Sequence, residues 1–200
     1  ACPSNPQYVA RLLDGNDVGG IDVGVLVSER EVRTGTPRVR VLDVAQVGKD
    51  SRFSNPDGTS ELLNDRPSLV VRTEIASANG NAVPLTVVVN HLRSLNGVND
   101  TDAGSAGWLT SGQRVRAKRA AQALELANWI EARQQANAAE RLVLVGDFNA
   151  FEFSDGLVDS MGVITGREAA PGTVLEHVDS PVTRPLTTLT TLLPQADRYS

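Results

Sequence analysis

Two short polar clusters carry the residue types that chemistry needs: Asn90-His91-Leu92 and Gly146-Asp147-Phe148-Asn149. Asp147 and Asn149 pair a carboxylate with a side-chain amide two residues apart. At a strand end both can point into one cleft and offer the hard oxygen ligands that magnesium demands. His91 is an acceptor when neutral and a donor when charged, which suits contact with a phosphate or transfer of a proton. Gly146 lets a substrate approach the backbone closely. Hydrolysing a phosphate diester needs a cation on the non-bridging oxygens, a group that orients and deprotonates water, and donors for the developing charge. Spacing alone also admits a plainer reading, because Asp-x-Asn after a strand is often a turn and a lone histidine at a strand end is often structural.

The elements that must hold these clusters are legible in outline. Ser68–Ile75 and Pro84–His91 read as two strands of a hairpin around Ala78-Asn79-Gly80-Asn81, and the second runs directly into Asn90 and His91. Arg141–Val145 is a short continuous apolar run, expected to be a strand buried on both faces and ending at the second cluster. Between them, Gln113 to about Ala138 has no Pro or Gly and repeats Ala117, Ala120, Leu124, Ala127 and Ile130 at helical spacing. Arg114, Lys118, Glu125 and Arg133 are expected on its solvated face. Ile21–Val27 and Val39–Val44 read as further strands, the latter with one wet face. Residues 48–65 and 95–112 read as long loops, the first exposed and the second mobile. The chain beyond Asn149 is broken by prolines, with short helical turns expected near Ser154–Ser160 and Leu186–Leu193.

Bulk properties limit the choices. The chain has 200 residues, 40% hydrophobic, enough for a single domain with one substantial core. A net charge of −5 is no global footprint for tight, sequence-independent nucleic-acid binding, although a few cationic groups can neutralise a phosphate locally. Cys2, the sole cysteine, excludes an intrachain disulfide and a thiolate cluster. No apolar run reaches the length of a membrane span.

Val-Asn-His-Leu-Arg-Ser at 89–94, Gln-Arg-Val-Arg-Ala-Lys-Arg at 113–119 and Val-Leu-Val-Gly-Asp-Phe-Asn-Ala at 143–150 together resemble the ordered motifs of the endonuclease/exonuclease/phosphatase superfamily. The series is similar above all to bacterial, secreted, nuclease-like members, and the similarity includes Gly15–Gly24. The resemblance implies an α/β fold, a four-layer α-β-β-α sandwich of mixed, mainly antiparallel sheets. It implies a magnesium-dependent phosphodiesterase, with manganese or calcium as alternatives, acting on DNA or RNA by in-line attack of water. His91 would lie against the scissile phosphate. Asp147 and Asn149 would position metal, water and phosphate, with Asn90 in support as a substrate-binding residue. Arg93, Arg116 and Arg119 are candidate phosphate contacts, since a planar guanidinium matches phosphate oxygens; a solvated helix face is the other reading of Arg116 and Arg119. Asp22 faces either the cleft or solvent.

The match breaks at two places. Members of the family carry an early glutamate as principal metal ligand and a late Asp-His pair as general base, and no residue here takes either role; His177 reads as surface. The expectation is therefore an internal segment, incomplete at both ends of the fold, weak or inactive by itself and open to association through exposed sheet edges. An extracellular location follows from the secreted relatives. Two rivals stand beside the nuclease: a phosphatase or lipid phosphodiesterase of the same superfamily, and a non-catalytic binding module whose site has decayed.

Overall fold

A computed structural model describes residues 7–77, 79, 81–194 and 197–198. In chain order the elements are β1 (Tyr8–Leu12), β2 (Gly24–Ser28), β3 (Glu31–Arg33), β4 (Thr36–Pro37), β5 (Val39–Val47), β6 (Arg52–Ser54), β7 (Ser60–Leu62), β8 (Ser68–Ala76), β9 (Ala82–His91), α1 (Ser111–Ala136), β10 (Leu142–Asp147) and α2 (Ser160–Thr165). A 3-10 turn follows at Leu189–Leu192. The protein is mixed α/β and mostly sheet, and its sheets are open. It forms two compact units, one of residues 1–50, 64–91 and 137–147, the other of residues 51–63, 92–136 and 148–200.

The first unit is built on a four-stranded sheet in the order β10-β9-β8-β5. β8 pairs antiparallel with both β5 and β9, as the hairpin signal requires, while β10 runs parallel to β9. Ala78 and Gly80 of the hairpin turn lie outside the described residues. Leu69 and Val71 of β8, Val89 of β9 and Val23 form a buried cluster, with Val25, Val41, Val44 and Val87 packed on it. Leu69 and Val71 of β8 and their partners Val89 and Val87 of β9 are alternate residues on one sheet face, so hydrophobic burial fixes this register: a slip of one residue would turn all four over.

Three expectations about this unit change. The 141–145 run is not buried on both faces, since no residue of β10 is fully buried and Val145 is 40% exposed; among the described residues β10 pairs with β9 alone and is an edge strand. A continuous apolar run reports parallel pairing without saying how many neighbours a strand has. β5 lacks a clean alternation because its register shifts between Val41 and Asp43, which leaves Leu42 exposed. Asp22 is not a lone solvent carboxylate. Its Oδ1 accepts the Gly15 N–H at 2.6 Å and closes the loop before β2.

In the second unit α1 covers the expected helix, shifted by two residues at each end. Thr110 accepts the Gln113 N–H on its Oγ1 at 3.1 Å, holding the first turn. Ala120, Ala123, Leu126, Ala127 and Ile130 are buried, but so are Lys118, Arg119, Gln122 and Glu131. Lys118 is therefore not on a solvated face; its Nζ donates to Glu61 Oε2 at 3.4 Å. Glu61 belongs to a hairpin, β6–β7, inside the stretch read from sequence as an exposed loop. Phe53 of that hairpin is buried and stacks on Trp108 with centroids 5.7 Å apart, and Trp108 Nε1 donates to Asn55 Oδ1. Residues 95–112 are tied by their own backbone: Val98 N–H to Leu95 O, Asp100 N–H to Gly97 O and Gly112 N–H to Asp100 O. The helix expected near Ser154–Ser160 forms instead at α2, where Asp159 caps the Gly162 N–H.

Arg114 grips both Glu61 oxygens through Nη2, at 2.5 and 2.6 Å. Burial pushes the Glu61 carboxyl up, but Arg114 and Lys118 outweigh it and hold the group below the usual glutamate range. The stabilisation is thus complete above the unfolded-state value and is lost as pH falls through the lowered one. Glu61→Gln should cost about 2 kcal/mol, because it leaves a buried ammonium without its carboxylate. Urea denaturation at neutral pH measures this, and the variant should also show a flatter loss of stability in acid. An unchanged midpoint would mean that solvent already screens the triad.

Candidate functional site

The parallel pairing of β9 and β10 sets the two sequence clusters side by side, with Gly146 opposite Asn90 and Asp147 opposite His91. His91 Nε2 stands 4.0 Å from Asp147 Oδ2, with the side chains 28% and 63% exposed. That separation is too long for a direct hydrogen bond, yet two contacts of about 2.8 Å to one shared oxygen span it easily. An imidazole and a carboxylate at the open end of a parallel pair can thus hold a single water between them.

Asn90 explains why His91 stands where it does. It is 1% exposed and bonded on both sides: Ser68 Oγ donates to its Oδ1 at 2.8 Å, and its Nδ2 donates to Val88 O at 3.0 Å and Val145 O at 3.2 Å. One side chain joins β8, β9 and β10 at the residue preceding the histidine, and a buried amide satisfied this fully is rigid. The Asn90 amide is thereby committed to the sheet. Arg66, which no sequence pattern singles out, donates from Nε to His91 O at 3.3 Å and lies 3.7 Å from Asp17.

Asn149 departs from the geometry that its spacing suggested. β10 ends at Asp147, so strand alternation does not reach it; its backbone is left-handed at φ 48°. Asparagine tolerates that region better than most side chains. Within the second unit its Nδ2 donates to Leu92 O at 2.8 Å, and its own carbonyl accepts from Arg119 Nη2 at 2.8 Å.

The arginines divide. Arg93 is half-buried and its backbone is held at both ends: its N–H donates to Gln122 Oε1 at 2.9 Å, and its carbonyl accepts from Arg119 Nη1. Arg116 is half-buried and donates from Nη1 to Val98 O at 2.7 Å, bracing the loop before α1. Arg119 is buried, not part of a solvated face. Burial lowers its pKa, Asp155 raises it and Arg93 lowers it further. Gln122 was missed in the sequence. The signal was an Arg-x-x-Gln pair at helical spacing, in phase with the buried Leu126 and Ile130. His177, half-buried, pairs with Asp179 at 3.1 Å in the irregular chain after α2.

Against protein families, curated proteins and solved structures, the chain finds no match.

Among the described residues no three His, Cys, Asp or Glu side chains assemble into a metal-holding group. The donor chemistry still suits a hard dication, because magnesium is commonly held by one or two protein carboxylates and completes its shell with water and phosphate oxygens. Asp147, exposed at a strand end, is such a carboxylate. No membrane-crossing helix occurs among the described residues.

Proposed function

We propose that this chain carries the phosphate- and water-handling part of a metal-dependent phosphodiesterase site, and that its substrate is DNA or RNA. The observation that carries the reading is the in-register placement of His91 and Asp147, 4.0 Å apart at the ends of β9 and β10. The motif resemblance adds the chemistry, and with it a four-layer sandwich to which the four-stranded sheet contributes one layer. Asp147 and Asn149, two residues apart in the chain, are the oxygen donors assigned to the ion. A bound magnesium, manganese or calcium ion would neutralise the phosphate oxygens and favour deprotonation of water. His91 donates to a non-bridging phosphate oxygen and stabilises the charge that develops there. Asp147 orients the water for in-line attack, and Asn90, bonded to β8 and β10, supports the strand end that carries His91. The principal glutamate and the general-base pair are not assigned to any of these 200 residues. The chain is therefore expected to turn over slowly or not at all. The open edges of β5 and β10 are where a neighbouring strand would add.

The test compares DNA, RNA, inositol phosphates and sphingomyelin as substrates for the complete gene product, with magnesium and after chelation. Nucleic acid should be cut, chelator should abolish cutting, and added dication should restore it. Hydrolysis that survives chelation would sink the metal-dependent reading. Cleavage confined to inositol phosphates or sphingomyelin selects the rival enzyme class, and retained nucleic-acid binding without turnover selects a binding module.

A further inference from the structure

We propose that Arg119 is a positioning residue, a buried cation on α1 whose guanidinium fixes Asn149 against the backbone of residues 92–93. The inference rests on the role given to Asn149 above. Arg119 is 2% exposed, and its two Nη atoms divide between two carbonyls, Arg93 O and Asn149 O. Asn149 returns the contact by donating from Nδ2 to Leu92 O, so Leu92, Arg93, Arg119 and Asn149 form a closed ring of hydrogen bonds within the second unit. Gln122, one turn along α1, holds the Arg93 N–H and anchors itself by donating to Leu63 O at 2.9 Å.

Three physical points favour positioning over plain packing. A guanidinium is a rigid planar fork, so its two Nη atoms set the spacing of the carbonyls they bind; a lysine ammonium has one nitrogen and no such constraint. Burying a cation is costly, and an apolar side chain would fill a helix stripe otherwise made of Ala123, Leu126 and Ile130 with less penalty. The Nε of Arg119 is buried with no hydrogen-bond partner, so the side chain is not arranged for its own best solvation. The Nη2 contact falls on the carbonyl of Asn149, the residue whose backbone is left-handed.

The experiment is solvent exchange of amide protons by NMR in the 200-residue chain and in Arg119→Lys, Arg119→Met and Gln122→Leu. In Arg119→Lys the Asn149 side-chain amide should exchange at least about tenfold faster, while the Asn64 side-chain amide, bonded to Gly48 O in the other unit, is unchanged. Gln122→Leu should speed exchange at the Arg93 N–H and leave the Asn149 side chain as it was, which separates positioning from a general loosening of α1. Asn149 exchange within about twofold of the parent in Arg119→Lys overturns the proposal, and Arg119→Lys is the variant that decides if Arg119→Met fails to fold. In the complete gene product, Arg119→Lys should lower kcat by about ten- to a hundredfold with KM within about twofold, as loss of a supporting hydrogen bond does. Guanidinium added to Arg119→Ala should recover part of that rate. An unchanged kcat in an active enzyme also overturns the proposal. Absence of turnover in the parent counts against the phosphodiesterase reading instead, and the exchange result still decides the role of Arg119.

Discussion

On the proposed phosphodiesterase reading, replacing His91 with alanine should lower kcat by about 10²- to 10⁴-fold, the range expected when a positioned donor or proton-transfer group is lost. In free energy that is about 3–5 kcal/mol of transition-state stabilisation. Stability should barely move, because the ring is partly exposed and stands 4.0 Å from Asp147. The two readouts distinguish catalytic from structural histidine: a structural one would lower the unfolding midpoint and leave the rate per folded molecule intact. Asp147→Ala should behave alike in rate, since the carboxylate is 63% exposed and is not part of the core. Near-parental turnover in either variant, measured at saturating dication, removes the pair from the mechanism. Asn90→Ala is the opposite control. It should cost stability first, because it unties Ser68 from the buried amide and leaves Val88 O and Val145 O without that donor.

How much of this was readable beforehand depends on how far apart in sequence the deciding contacts lie. The β8–β9 hairpin announced itself because its alternation and its turn are local. The site clusters were visible because each sits where an apolar run stops. The β6–β7 hairpin was hidden: strands of three residues give less than two periods of alternation, and Phe53 is buried against Trp108, 55 positions later. Lys118 and Arg119 looked like a solvated face because charge predicts exposure unless a partner is known. Their partners, Glu61 and the carbonyls of Arg93 and Asn149, come from elsewhere in the chain. The edge position of β10 was equally unreadable, since composition does not count neighbours. Asn149 gave a weak signal in advance, being the residue type that most readily takes a left-handed backbone. Read that way, it would have warned that strand alternation stops at Asp147.

Gly146→Ala should be the most damaging single methyl in the first unit. Gly146 has φ +116°, a region in which L side chains are strained. A Cβ built there would stand 2.0 Å from Asn90 O and 2.8 Å from Asn90 N. Both are backbone atoms on β9 and cannot swing aside as a side chain could, so relief requires β10 to move away from β9. Strain and displacement together should cost more than about 3 kcal/mol, a large share of ordinary domain stability. The displacement would also break the contact from Asn90 Nδ2 to Val145 O and separate His91 from Asp147. Backbone hydrogen exchange should therefore accelerate along Leu142–Asp147 before it does so in β8, and the rate should fall with it. If exchange along β10 stayed at parental rates, the close approach of Gly146 to Asn90, and with it the side-by-side placement of the two clusters, would have to be abandoned.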